Sequence, residues 1–134
     1  MKALSHLIEQ YDGMDEDGLR KNLEYFLKAV IPVAEEVGIK MGIHPDDPPI
    51  SVFGLPRIVK NESDLEKIAK MVDSESNGFT ICTGSLGSNR QNDIPHIIRK
   101  FGKMGRVNFL HVRNIQFMNR GYSMKWLINR KLVI

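Results

Sequence analysis

Stretches with a helical repeat of apolar positions alternate along this chain with short, continuously apolar runs. From about residue 18 to 37, Leu19, Leu23, Phe26, Leu27, Val30, Val33, Ala34 and Val37 recur at the spacing of one helix face. Pro32 lies inside this stretch and is expected to kink or divide it. Gly38 is suited to end it and deliver the chain into a strand over 39–43. Pro45-Asp-Asp-Pro-Pro49 then predicts a stiff, extended loop, and residues 54–59 a short helical turn. Ser63, with Glu66 three residues on, reads as the capping box of a second helix, whose apolar face is Leu65, Ile68, Ala69 and Val72. A strand over 78–82 leads into a polar loop over 83–89. Asn92 or Asp93 caps a third helix with Pro95 in its first turn; Ile94, Ile97, Ile98 and Phe101 form its face and Gly102 ends it. A strand over 107–111 follows. Helix and strand alternate three times, which predicts an α/β fold with buried parallel strands and right-handed crossovers.

Composition narrows the class. The 134 residues, 42% hydrophobic, make one domain or part of one. No apolar stretch is long enough to span a bilayer, and the start lacks a signal-peptide core. One cysteine excludes an internal disulfide. Together these predict a cytoplasmic protein. The net charge of +3 conceals an asymmetry: after Asp93 there are nine Lys or Arg and no carboxylate, so the first 93 residues carry −6. Residues 1–17 are polar and acidic and read as a leader or connection. Residues 118–134 form a basic tail. Such a tail is one route to nucleic acid or an anionic surface, although its few aromatics and lack of a binding motif argue against nucleic acid.

The apolar runs end in chemistry. Ile39-Lys-Met-Gly-Ile43 is followed by His44, Gly78-Phe-Thr-Ile81 by Cys82, and Val107-Asn-Phe-Leu110 by His111. The separations, 38 and 29 residues, each suit one strand-helix-strand unit. Parallel strands would bring the three residues together at one end of the sheet, where α/β folds place their sites. A lone strand-end histidine is usually a hydrogen-bonded neighbour, and a lone cysteine a small buried hydrophobe. Three such residues at the same end of three strands point instead to a transition-metal site that lacks only a carboxylate. Around them, Asp46 could orient an imidazole, Ser85 lies in a glycine-bearing loop that could cradle an anion, and Arg113 offers a fork for a carboxylate. His6 and His96 are assigned no role.

Five of these segments carry a resemblance. Phe26-Leu-Lys-Ala-Val-Ile-Pro-Val-Ala-Glu-Glu-Val-Gly38, His44-Pro-Asp-Asp-Pro-Pro49, Gly54-Leu-Pro-Arg-Ile-Val59, Asn77-Gly-Phe-Thr-Ile-Cys-Thr-Gly-Ser85 and His111-Val-Arg113 closely resemble the mannonate dehydratase family. The resemblance covers roughly residues 18–117. It implies a xylose-isomerase-like TIM (β/α)8 barrel, present here as about three parallel strand-helix units. It also implies a lyase of hexuronate (glucuronate) catabolism that converts D-mannonate to 2-keto-3-deoxy-D-gluconate with Mn²⁺ or Fe²⁺. By motif match the metal ligands fall on His44, Cys82 and His111. Asp46, Ser85 and Arg113 are the candidates for substrate contact, and the catalytic acid and base are not assigned.

A barrel needs eight strands and typically about 250 residues. The family's N-terminal half, its Arg-Pro-Asp-His-Gly motif and its Phe-His-Glu segment are not found in this sequence. The expectation is therefore a partial copy, inactive alone, with a tail such as a frameshift or early stop would produce. Exposed strand edges should make it self-associate. The alternatives are another metal-dependent sugar-acid lyase or isomerase on the same barrel, or a non-catalytic module that binds anions through its tail.

Overall fold

The computed structural model describes residues 11, 13–52, 54–117 and 124–126. Most of the reading of residues 1–17, and all of 118–134 except 124–126, lies outside the described residues.

Helix α1 spans Glu16–Glu36. It starts two residues earlier than its apolar period because the Asp15 carboxylate accepts from the Gly18 amide, and Glu16 and Asp17 favour the positive end of the helix dipole. Pro32 does not divide it; its ring lies on the exposed side. Gly38, at φ +70, ends the helix. Strand β1, Met41–Ile43, follows.

Helix α2 spans Glu62–Met71. Its cap is Asn61, whose side-chain oxygen accepts from the Asp64 amide, and not Ser63. The predicted box does not form: the Asp64 carboxylate accepts from the Lys60 amide, one residue before the cap, at 3.2 Å and also takes the Arg20 guanidinium at 3.0 Å, joining α2 to α1. Residues 54–59 are not helical. Leu55 bridges Val52, and the Asp46 carboxylate accepts from the amides of Ile58 and Val59 at 3.0 and 2.8 Å, so a side chain supplies the partners that a helix would have supplied.

Strand β2, Asn77–Cys82, leads directly into a short helix α3, Thr83–Gly87, where a loop was expected. Helix α4 spans Ile94–Lys103 with Asp93 as its cap and Pro95 in its first turn. It runs through Gly102, and the left-handed residue beyond it is Gly105, at φ +68. Strand β3 is Val107–His111. Beyond it, β4, Ile115–Phe117, pairs antiparallel with β5, Met124–Trp126.

β1, β2 and β3 form one parallel sheet in that order. Side chains alternate across a strand. Phe79 and Ile81 join a buried cluster with Leu27 and Ile31 of α1, Leu65 and Ile68 of α2, and Ile97 and Phe101 of α4. The Phe79 and Phe101 rings meet edge to face at 5.2 Å. The helices therefore cover one face of the sheet, and Gly78, Thr80 and Cys82 belong to the other. Strands adjacent in chain order, with helices on a single face, are the arrangement of a barrel wall.

Only the central strand is buried throughout. The apolar run of β3 predicts a buried strand, but Phe109 is 60% and Leu110 48% exposed, because among the described residues no strand covers its outer edge. Arg106 is buried at the entry to β3; its Nη1 donates to the carbonyls of Asn77, at 2.8 Å, and Ser74, locking the turn into β2. No helix among the described residues is long and apolar enough to cross a membrane.

Candidate metal centre

The three strand ends converge. His44 directly follows β1, Cys82 is the last residue of β2 and His111 the last of β3. One donor atom from each lies within 4.8 Å of the other two; neighbouring donors on one tetrahedral ion lie about 3.3–3.8 Å apart with bonds of about 2.0–2.3 Å, so the three side chains need to draw in by about 1 Å to share an ion. Cys82 is fully buried, His111 half-buried and His44 exposed, so the cluster opens outward past His44. The two imidazole rings are 5.8 Å apart and tilted by 55°.

The atoms behind the donors hold them in place. His44 Nδ1 lies 2.7 Å from the Pro45 carbonyl. A proton on Nδ1 makes this a hydrogen bond and leaves Nε2 with its lone pair, the arrangement metal-binding histidines use. That partner is a backbone carbonyl rather than Asp46. Cys82 Sγ caps α3 and accepts from the Ser85 amide at 3.4 Å and the Ser85 hydroxyl at 3.2 Å. The Ser85 hydroxyl in turn accepts from Arg113 Nη2 at 3.0 Å, and Arg113 Nη2 also reaches Asp47 at 2.5 Å. Thr83 Oγ1 grips the Arg113 backbone twice, accepting from its amide and donating to its carbonyl, both at 2.9 Å. Gly84 makes room for this: a Cβ there would lie 2.5 Å from Arg113 Nε.

The residues expected around the site thus take distinct positions. Asp46 is half-buried, with its carboxylate engaged by Ile58, Val59 and, at 3.4 Å, Arg57. Ser85 is fully buried behind Cys82, and its amide points at sulfur instead of opening an anion cradle. Arg113 is half-buried and linked to both the sulfur side and the His44 loop. Asp47 and Gly84 belong to the acidic loop after His44 and the glycine-bearing loop after Cys82 that the sequence points to, but their contacts with Arg113 are not predicted, and Thr83 is not singled out at all. Its only signal is adjacency to Cys82. An apolar hollow of about 220 Å³ lined by Tyr11, Met14, Leu19, Leu55, Pro56 and Arg57 includes none of the three donors.

Imidazole and thiolate donors suit first-row divalent ions. A parallel α/β wall with such a candidate donor set at the carboxyl ends of its strands is the arrangement of the (β/α)-barrel class, which places its sites there. Comparison with known proteins makes the assignment specific. The profile for D-mannonate dehydratase (UxuA) matches residues 1–125, and the chain belongs to that family.

The mannonate dehydratase of Geobacillus thermodenitrificans is 57% identical over 121 residues, 90% of this chain and 33% of that protein. That of Thermotoga neapolitana is 55% identical over 117 residues, 87% of this chain and 32% of that protein. A crystal structure of mannonate dehydratase from Streptococcus suis serotype 2 superposes with a TM-score of 0.83 at 45% identity, covering 86% of this chain and 33% of that one. The chain spans about a third of the length of the curated relatives it matches.

Proposed function

We propose that this chain carries the His44, Cys82 and His111 part of a divalent metal centre, with Mn²⁺ or Fe²⁺ as the ion, in a cytoplasmic mannonate dehydratase. The reaction is loss of the C2 proton and the C3 hydroxyl of D-mannonate, giving 2-keto-3-deoxy-D-gluconate and water. The observation that carries the reading is the convergence of the three donors from consecutive strand ends within 4.8 Å, in a chain of this family.

A bound divalent ion supplies a Lewis acid for the oxygens of the sugar acid. With Nδ1 protonated, the Pro45 carbonyl would hold the His44 ring and leave Nε2 free to bind the ion. The two Ser85 donors hold the Cys82 sulfur. Arg113 orients the substrate by presenting its guanidinium to the sugar-acid carboxylate in place of Asp47, a like-for-like exchange of one carboxylate for another. Asp46 keeps the His44 loop in shape, and Ser85 stands between Arg113 and the metal ligand instead of meeting substrate directly. No residue of this chain is assigned as the acid or base. Exposed Phe109 and Leu110 on the β3 edge favour self-association of the chain on its own.

The test is anaerobic titration of the reduced chain with Co²⁺, then D-mannonate. A thiolate-to-cobalt band is expected in the near ultraviolet, lost in Cys82→Ala and weakened in His44→Ala and His111→Ala. D-mannonate, but not mannose, should then shift the visible bands, and Arg113→Met should abolish that shift. Binding that is indifferent to all three ligand substitutions would refute the metal centre. A mannose response equal to that of D-mannonate would refute the sugar-acid assignment.

A further inference from the structure

β2 and β3 do not pair evenly. Phe79 lies opposite Val107, but Thr80 lies opposite Phe109, Ile81 opposite Leu110 and Cys82 opposite His111. Asn108 is therefore one extra residue in β3, a bulge. Side chains alternate with a period of two, so a one-residue slip exchanges the faces. Regular pairing continued from Val107 would set Leu110 against Cys82 and turn the His111 side chain to the helix-covered face. The bulge is what puts the third donor beside the second.

The bulge is held by a built set of contacts. Asn108 Nδ2 donates to the Met41 carbonyl of β1 at 2.6 Å and to the Glu75 carbonyl at 2.9 Å. To reach them, its side chain passes over β2 at Gly78. A Cβ on residue 78 would lie 2.3 Å from Asn108 Nδ2, 2.6 Å from its Cγ and 2.8 Å from the Arg106 carbonyl, so the crossing requires glycine. The Phe79 amide donates to the Arg106 carbonyl at 2.7 Å, fixing the last regular bond before the extra residue.

We propose that Asn108, admitted by Gly78, is a positioning residue: it sets the register that places His111 beside Cys82. The functional part of this inference rests on the metal-centre reading above, whereas the register itself does not.

The experiment compares the full chain with two variants, Asn108→Val and deletion of Asn108. Valine favours regular pairing and removes both hydrogen bonds. Deletion removes the extra residue and leaves His111 opposite Cys82. Two readouts run side by side: cross-strand amide-to-Hα NOEs between β2 and β3 without metal, and Co²⁺ affinity with the visible ligand-field spectrum. In Asn108→Val the NOEs should move Leu110 opposite Cys82, Co²⁺ affinity should fall at least tenfold, and the spectrum should report one nitrogen ligand fewer. In the deletion the register and spectrum should stay, with affinity within threefold of the parent chain.

The proposal is overturned if Asn108→Val keeps the parent NOEs and spectrum. It is also overturned if the deletion loses them as fully as the substitution, since Asn108 would then act through general stability. If the parent chain shows no thiolate-to-cobalt band while Asn108→Val still shifts the NOEs, the metal-centre reading fails and the register assignment stands.

Discussion

Ser85→Ala isolates one link behind the proposed metal ligands. The Ser85 hydroxyl is fully buried, donates to Cys82 Sγ at 3.2 Å and accepts from Arg113 at 3.0 Å. Alanine removes both contacts and adds no bulk. Two things survive: the residue-85 amide, 3.4 Å from sulfur, and the Arg113–Asp47 pair at 2.5 Å. Loss of a hydrogen-bond partner behind a metal ligand costs about 10–100-fold in affinity. With one of two donors retained, the lower end applies, about tenfold or ~1.4 kcal/mol. Folding stability should fall by about 1–2 kcal/mol, the cost of one lost buried hydrogen bond and a weakened neighbour.

The assay is competition of the reduced chain against a chelator for Co²⁺, with urea unfolding run alongside. Ser88→Ala is the control. Its hydroxyl donates to the Ser85 carbonyl at 2.7 Å and touches no ligand, so affinity should not change. An affinity change below twofold in Ser85→Ala would sink the argument that this hydroxyl supports the sulfur. A loss beyond a thousandfold with the fold intact would be equally damaging, because it would mean that Ser85 meets the ion itself.

Other perturbations probe the frame around the site. Arg106→Met removes a buried guanidinium from the carbonyls of Asn77 and Ser74, so urea unfolding followed by circular dichroism should show a loss of about 3 kcal/mol, from two charge-assisted hydrogen bonds; a loss under about 1 kcal/mol would contradict it. Arg106 Nη2 also pairs with Asp73 at 2.5 Å, but the Asp73 side chain is fully exposed, so Asp73→Ala should leave the midpoint unchanged. Phe101→Ala empties the centre of the cluster opposite Phe79 and should cost about 3–5 kcal/mol in the same measurement. The Lys60 ammonium and Arg20 guanidinium beside Glu16 hold its carboxyl below the ordinary glutamate value. Its stabilising effect is thus present above the unfolded-state pKa and lost as pH falls through the lower folded value. Glu16→Gln should flatten the loss of stability between about pH 5 and pH 3, and an unchanged pH profile would count against the network.

What the sequence determined by itself was local. The helical period gave α2 and α4 their buried faces, because a 3.6-residue repeat of apolar side chains has one stable way to meet a core; in α1 the buried face is narrower and turned, with Leu27, Ile31 and Ala34 inside while Phe26, Val33 and Val37 are exposed. Gly38 was legible as a helix end, and the α4 cap was narrowed to Asn92 or Asp93, because αL geometry and side-chain capping are decided within a few residues; the structure uses Asp93. His44, Cys82 and His111 could be placed together because each directly follows an apolar run in a helix-strand alternation, which predicts parallel strands.

The folded structure decided what the apolar pattern of a single segment does not carry: which neighbour a polar side chain meets, and how strands pair. Asp46 serves the amides of Ile58 and Val59 because a loop folds back on it. Asn61 displaces Ser63 as the α2 cap in a corner where Asp64 also receives Lys60 and Arg20. Ser85 lies behind Cys82 because residues 83–87 wind into a helix that presents its first turn to sulfur. The alignment of His111 with Cys82 depends on an extra residue, Asn108, whose partners Met41 and Glu75 lie 67 and 33 positions away. Strand register is a property of the pairing and not of either strand, so no reading of one segment at a time reveals it.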